Sequence, residues 1–194
     1  MSEKLEVMTM KLGKHLTLEE FCTCTQTYRK YAEKINPYPK NQKETILALQ
    51  TLCQQIIDPV IENFGRKRFQ LTYGFCSMDL KRFLSQKDPE TGVKNGRVAP
   101  SRDQHMAHEL NRNGKYYCDR LGAACDFRII GLESDRLVDW TLEHQLPFDS
   151  LYYYGSDRPI HISYSPQHRR SIWAFTDKGV PTKKGIEDWI KKLG

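Results

Sequence analysis

The apolar and polar positions of this chain recur with helical spacing in the first third and with strand spacing afterwards. Thr17-Leu18-Glu19-Glu20 forms a capping box, which predicts a helix from this point to about Glu33. Asn36-Pro37 stops that helix, because the residue before a proline disfavours helical geometry. Apolar residues over 42–64 lie on one face at the three- and four-residue spacing, which predicts a second, longer helix. Pro59 lies inside this pattern and predicts a kink or a restart.

The second half of the chain combines short strands with one further amphipathic helix. Alternation over Phe69-Gln70-Leu71-Thr72-Tyr73 predicts a strand, and a short helical segment follows near 79–84. A polar, glycine-bearing connection then occupies 85–118. The remaining predicted elements are strands at 125–130, 150–154, 160–164 and 172–175, a helix over 133–145 and a final helix over 182–192. Helices first and strands later predict an α+β domain, with N-terminal helices packed on a small, mainly antiparallel sheet.

The length of 194 residues predicts one domain with short appendages. We expect an N-terminal extension over 1–15, the domain itself over 16–175 and a basic C-terminal helix over 176–194. The net charge is +6, and residues 165–194 hold seven Lys or Arg against three Asp or Glu. Such a segment can attract nucleic acid, but a solvated helix face is the interpretation that we favour.

Composition also predicts where the protein works. The apolar runs are shorter than the roughly 18 residues of a membrane span, which predicts no membrane partner. The N-terminus lacks the basic and then apolar pattern of a secretory signal, and the six scattered cysteines read as reduced thiols. We therefore expect a cytoplasmic protein. If its substrate belongs to the cell wall, it meets that substrate after lysis, as proteins encoded by phages or prophages do.

Two residues of the later strands are candidates for a metal site. Asp126 begins one predicted strand and His161 lies in the middle of another. A carboxylate and an imidazole on neighbouring strands can converge on one zinc ion, and both are common zinc ligands. A catalytic zinc needs a third protein ligand and keeps one position for water. The alternative is a hydrogen-bonded structural histidine.

Several short motifs follow one another in the order seen in a known enzyme family. They are Leu16-Thr17-Leu18-Glu19-Glu20-Phe21, Asn36-Pro37, Ile57-Asp58-Pro59-Val60-Ile61, Leu71-Thr72-Tyr73-Gly74-Phe75, Gly122-x-Ala124-x-Asp126, Phe148-Asp149-Ser150-Leu151 and His161-Ile162-Ser163. In this order they resemble the zinc D-Ala-D-Ala carboxypeptidase family, over roughly residues 16–175. The resemblance implies the hedgehog/DD-peptidase fold and a zinc centre, with this chain as a divergent member.

The resemblance also implies a set of metal ligands. The family's central motif is Ser-x-His-x-x-Gly-x-Ala-x-Asp, whose His and Asp bind zinc, and a later His is the third ligand. Aligning the motif on Gly122, Ala124 and Asp126 puts Asp119 where the family has its first His. The implied metal set is therefore Asp119, Asp126 and His161. Two carboxylates and one imidazole tolerate divalent ions other than zinc.

Two more functional positions depart from the family. The family arginine that holds the substrate carboxylate is replaced by Cys76, and Arg82 is the predicted substitute for substrate binding. The family's general base lies shortly before the last His, which makes Asp157 the predicted catalytic residue.

The long connection offers an alternative third ligand. If Ser101–Glu109 is helical, His105, His108 and Glu109 share one face, and His105 could replace the missing His. A polar helix that faces the pocket or solvent remains the other interpretation.

Two functions follow from these residues. The first is a metal-dependent peptidase or amidase that acts on peptidoglycan-type peptides with metal-activated water. The alternative is a catalytically altered member of the fold, which binds a partner or acts on a nucleotide or nucleic acid.

Overall fold

Helices form the first third of the protein in the computed structural model, which describes residues 9–175 and 180–182. The α-helices of this part are α1 (Leu18–Thr23), α2 (Gln26–Lys30), α3 (Gln42–Leu52) and α4 (Asp58–Phe64). The capping box at the start of α1 is confirmed, because Thr17 Oγ1 accepts the Glu20 N–H at 3.2 Å and the Glu20 carboxylate accepts the Thr17 N–H at 2.9 Å. The single helix predicted over 17–33 is interrupted, because Thr25 Oγ1 accepts the Tyr28 N–H and begins α2 anew.

The second predicted helix is continuous but contains one widened turn. A π-helical turn over Cys53–Ile57 joins α3 to α4. It comes immediately before Pro59, whose ring would clash with the carbonyl four residues earlier in a regular helix. The predicted irregularity at Pro59 is therefore present as a π turn. The apolar face stays continuous through it, and Leu52, Ile56 and Val60 are fully buried.

The strands form one sheet with two helices between them in sequence. The strands are β1 (Phe69–Tyr73), β2 (Ala123–Ile129), β3 (Ser150–Tyr153), β4 (Ile160–Tyr164), β5 (Ser171–Phe175) and β6 (Pro181–Thr182). Helix α5 (Met78–Ser85) follows β1, and helix α6 (Ser134–Glu143) follows β2. The spatial order is β1-β2-β4-β3-β5-β6, and every neighbouring pair is antiparallel except β3 with β5. The predicted combination of helices with a mainly antiparallel sheet is confirmed.

One face of this sheet carries the core and the other carries polar groups. Cys125 and Phe127 of β2, together with Ile160 and Ile162 of β4, are fully buried in the main apolar cluster. Because successive side chains of a strand point to opposite faces, Asp126 and His161 lie on the face away from that cluster. The strand alternation therefore separates the structural face from the candidate functional face.

Between α5 and β2 the chain makes a long excursion over 86–122. Within it the structure has no helix or named strand, and its ladder pairs are the bridges Lys87–Lys94 and Leu110–Tyr116. A connection of this length without secondary structure is commonly functional. Together with α5, this segment connects β1 to β2, which are direct neighbours in the sheet.

The two ends of the described chain can be compared with the predicted N-terminal extension and the predicted C-terminal helix. Leu12 is fully buried in the main core, so the chain packs on the domain before residue 16. The predicted helix over 182–192 and most of the basic segment 176–194 lie outside the described residues. Over residues 9–175 and 180–182, no helix is long and apolar enough to cross a membrane.

Candidate metal centre

Four side chains form a row across neighbouring strands on the polar face of the sheet. Asp126 pairs with Tyr73 of β1 on one side and with His161 of β4 on the other. His161 in turn pairs with Tyr152 of β3. An irregularity between Leu71 and Tyr73 shifts the register at the β1 end of the row. Bulges of this kind re-aim side chains and occur frequently beside functional sites.

A third donor, His105, reaches this row from the long connection. Its carbonyl accepts the Cys76 N–H at 2.8 Å, and its Nδ1 lies 2.9 Å from the Gly74 carbonyl oxygen. On one side of it, the buried amide of Gln104 donates to Asp149 at 2.8 Å. On the other side, Met106 is buried in a second apolar cluster. These contacts hold the imidazole in place although its segment has no regular secondary structure.

Three donor atoms converge at this point. His161 Nδ1 lies 2.9 Å from Asp126 Oδ1, and His105 Nε2 lies 3.2 Å from the same oxygen. The two ring nitrogens are 3.1 Å apart. Zinc–ligand bonds of about 2.0–2.1 Å separate neighbouring donors by roughly 3.3 Å in a tetrahedron and roughly 3.0 Å in an octahedron. The triad of His105, Asp126 and His161 therefore has the spacing of donors that share one ion.

The two imidazoles are oriented in different ways. His105 Nδ1–H donates to the Gly74 carbonyl, which leaves the Nε2 lone pair for an ion. His161 is 2% exposed, and its Nε2 is buried without a hydrogen-bond partner among the described residues. The ring of His161 stacks instead on Tyr152, with centroids 4.5 Å apart and planes at 14°. Outside the triad itself, stacking on Tyr152 therefore orients His161, whereas a hydrogen bond to Gly74 orients His105.

In the metal-free protein, the charges of the triad residues shift one another's pKa values. Burial opposes protonation of His105, but the Asp126 carboxylate outweighs it and raises the pKa of His105 to about 9. Burial likewise opposes ionisation of Asp126, yet the two histidines hold its pKa well below its usual range. Near neutral pH the metal-free cluster therefore pairs an ionised Asp126 with a protonated His105, and a bound metal ion would take the place of that proton.

The triad lies in the wall of a cavity of about 610 Å³. This volume is in the range of small-molecule sites. Three tyrosines, Tyr73, Tyr152 and Tyr154, line it on the sheet side. On the side of the long connection the lining includes Lys94, Arg97 and Asp103.

The structure brings together part of the predicted metal set. Asp126 and His161 meet, and the alternative ligand His105 joins them. Asp119 lies apart, exposed on a turn and absent from the cavity lining. Its neighbour Arg120 is the residue that points inward, and Arg120 Nη1 donates to Ser150 Oγ at 2.7 Å. The three potential ligands that the structure brings together are thus His105, Asp126 and His161.

The other two predicted site residues also lie away from the triad. Asp157 is exposed and lines a separate hollow with Glu133 and Ser134. Arg82 is exposed on α5, where it pairs with Asp79 at 3.2 Å and faces another hollow. The structure therefore gives neither of them a place at the triad.

The polar cluster around His105 is not helical, so its members separate. Residues 101–108 form turns, and Ala107 adopts a left-handed φ of 44°. His108 Nε2 accepts the Gly122 N–H, and the buried Glu109 accepts the N–H groups of Lys40 and Asn41. Within this cluster His105 alone joins the triad, while His108 and Glu109 fasten the connection to the domain.

Sequence reasoning missed the residues that line the cavity from the long connection. Lys94 and Arg97 belong to no motif, and their only signal was the unusual length of the polar segment that contains them. Asp103 lies within the polar cluster over 101–109, but it was given no role there.

The chain was also compared with known proteins. No family model, no curated protein and no solved structure matches it. The geometry of the triad and its cavity therefore carries the functional argument.

Proposed function

We propose that this protein is a metal-dependent hydrolase of amide or peptide bonds, with His105, Asp126 and His161 as ligands of a divalent ion, zinc in the first instance. The observation that carries the proposal is the convergence of three donor atoms, 2.9–3.2 Å apart, in the wall of an accessible cavity. Three protein ligands with a free position towards a cavity are typical of catalytic zinc sites, whereas structural sites have four.

The donor set fits a zinc ion in composition and in surroundings. Two imidazoles and one carboxylate are ligands that zinc accepts. Both histidines are nearly fully buried, so they are shielded from competing water. The hydrogen bond from His105 Nδ1 to the Gly74 carbonyl is the outer contact that metal-binding histidines usually make.

His105 also strengthens the likeness to the D-Ala-D-Ala carboxypeptidases. With Asp119 as a ligand the set would depart from that family's two histidines and one aspartate. With His105 the composition agrees, and residues 106–121 become additional chain between the first ligand and Gly122. This agreement supports a peptidase-like activity, with peptidoglycan-type peptides as the first substrates to test.

The chain's own groups supply the remaining requirements of hydrolysis. Asp103 is the other carboxylate in the lining of the cavity, and it takes the role of proton acceptor that the sequence assigned to Asp157. Burial holds the pKa of Tyr154 well above its usual range, so its hydroxyl stays protonated and can donate to a developing negative charge. A bound divalent ion would supply Lewis acidity and a water of lowered pKa.

The test begins with metal content and then measures hydrolysis. The purified protein is stripped with a chelator, reloaded with zinc, and analysed for bound metal. A panel of short peptides, including peptides that end in D-alanine, is then assayed with and without chelator. We expect one zinc per chain and hydrolysis that chelator abolishes. Asp126→Asn should lose both properties while it keeps its circular dichroism spectrum.

Asp119→Asn is the matched control, because this aspartate lies exposed outside the cavity. It should bind zinc and hydrolyse peptides as the wild type does. A protein that takes up no stoichiometric metal after reloading contradicts the proposal. So does hydrolysis that survives in Asp126→Asn.

A further inference from the structure

Two cationic side chains, Lys94 and Arg97, are among the residues that line the cavity. Lys94 and Arg97 belong to the long connection, and the backbone of that segment is tied to the end of α5. The Asn95 N–H donates to Gln86 at 2.9 Å, and the Asn95 side chain donates to the Phe83 carbonyl at 3.0 Å. Lys94 and Arg97 are therefore presented by an anchored stretch of backbone.

Close packing also fixes this segment. The Gly96 N–H donates to the Leu84 carbonyl at 3.1 Å, and a Cβ at Gly96 would lie 2.5 Å from Leu84 Cδ2. Leu84 is itself buried. Because Gly96 has no side chain, the backbone between Lys94 and Arg97 packs directly against Leu84 of α5.

Neither cation has an acidic partner in the part of the chain that the structure describes. Among the described residues, no salt bridge within 4.0 Å involves Lys94 or Arg97. Unpaired cations are common on this protein, since Lys14, Arg66, Arg82 and Arg120 are the only Lys or Arg residues in salt bridges among the described residues. What distinguishes Lys94 and Arg97 is that they line the cavity that contains the triad.

The acidic groups of the same cavity have other partners. Asp126 contacts both histidines of the triad, and Asp103 accepts the His105 N–H at 3.2 Å. Lys94 and Arg97 lie close together on one segment of the lining, and cations grouped in one part of a cleft attract anionic ligands there.

We infer that the substrate carries an anionic group, a carboxylate or a phosphate, which Lys94 and Arg97 bind while the scissile bond faces the triad. The inference rests on the proposed function for the position of the scissile bond. The anion subsite itself follows from the unpaired cations and their anchored segment. It replaces Arg82 as the source of positive charge, since Arg82 faces another hollow and pairs with Asp79.

Matched probes test the subsite by binding rather than by turnover. Malonic, succinic and glutaric monohydroxamates place a carboxylate at increasing distance from a metal-binding head. Each is compared with its neutral primary amide, and phosphonate analogues distinguish a phosphate site from a carboxylate site. Dissociation constants for the zinc-loaded protein are measured by calorimetry at low and high salt.

For at least one tail length, we expect the acid to bind about fivefold tighter than its amide at low salt, and less at high salt. Arg97→Gln and Lys94→Gln should each remove most of this preference and leave binding of the amide unchanged. Arg112→Gln, at an exposed arginine outside the cavity lining, should keep the full preference. Equal binding of acid and amide at every tail length overturns the inference. A preference that survives in Arg97→Gln and Lys94→Gln overturns it as well.

A second arm separates this inference from the proposed function. If the protein binds no zinc, the proposed function fails, and succinate is titrated into the metal-free protein against succinamide by NMR. Succinate shifts at residues 94–97 that Arg97→Gln abolishes would uphold the anion subsite alone. Their absence in the wild type would reject it.

Discussion

Stacking of Tyr152 on His161 should control the affinity of the triad for metal. His161 Nδ1 faces Asp126 and His105, and its Nε2 has no hydrogen-bond partner among the described residues, so outside the triad the ring is held by its strand and by Tyr152. Tyr152→Leu removes the stacked ring from the cross-strand neighbour of His161. Without it the imidazole can rotate away from the donor geometry that it shares with Asp126.

The structure sets the size of the expected effect. A ring pair with centroids at 4.5 Å and planes at 14° belongs to the stacked class, and such contacts contribute about 0.5–1.5 kcal/mol beyond the buried area. That range corresponds to roughly two- to twelvefold in a binding constant. Loss of an outer contact to a metal ligand typically costs about 10- to 100-fold. We therefore expect Tyr152→Leu to weaken zinc binding about tenfold.

Competition with a chromophoric chelator measures the zinc affinity of each variant. Tyr152→Phe keeps the ring and should bind zinc within about twofold of the wild type. Tyr116→Leu is the control, because Tyr116 contacts His108 edge-on outside the triad. If Tyr152→Leu binds zinc as tightly as the wild type does, packing does not orient His161. Equal losses in Tyr152→Phe and Tyr152→Leu would attribute the effect to the hydroxyl.

Three further predictions concern the ligand set, the metal-free state and the fold. His105→Ala should weaken zinc binding about 100- to 1000-fold in a chelator competition, since zinc sites gain roughly 3–4 kcal/mol per ligand, whereas Asp119→Ala should stay within about twofold. In the metal-free protein, burial lowers the pKa of His105, but the Asp126 carboxylate has the stronger influence and raises that pKa to about 9. Protonated His105 should therefore stabilise the metal-free fold fully below its unfolded-state pKa of about 6.5, and this stabilisation should be lost as pH rises through about 9. Melting temperatures in chelator at pH 6–9.5 measure the effect. A melting temperature that does not change over this range contradicts the prediction. Gly122→Ala should cost about 3 kcal/mol or more in urea unfolding, because φ is 88° and a Cβ would lie 1.9 Å from a β4 carbonyl oxygen. Gly114→Ala, with φ of 72° and nothing within 4 Å, should cost only about 1 kcal/mol.

Local patterns predicted most of the secondary structure, because each signal acts over a few residues. The capping box at Thr17 starts α1, and the alternation over Phe69–Tyr73 is strand β1. Thr25 was overlooked as a second cap, although a Thr side chain that accepts an N–H three residues later is also a local signal. That hydrogen bond divides one predicted helix into two.

Two of the three residues of the candidate metal site could be predicted in the same way. Asp126 and His161 lie on strands, and strand alternation puts both on the polar face of the sheet. Asp119 followed from motif spacing, which assumes that the chain between two motif positions has the family's length. In the structure the connection over 86–122 brings His105 to the triad, and Asp119 lies on an exposed turn.

The sequence by itself determined the helices, the strands, the mainly antiparallel sheet and two of the three donor residues. Only the tertiary structure decided the third donor, the stacked Tyr152 and the cationic wall of Lys94 and Arg97. Helix caps and strand alternation are short-range effects that a single chain reveals. The course of residues 86–122, by contrast, depends on contacts with partners far away in sequence, such as Gln104 with Asp149 and His105 with Gly74. No local pattern encodes such contacts, so the sequence could offer His105 only as an alternative to Asp119, and the fold was needed to choose between them.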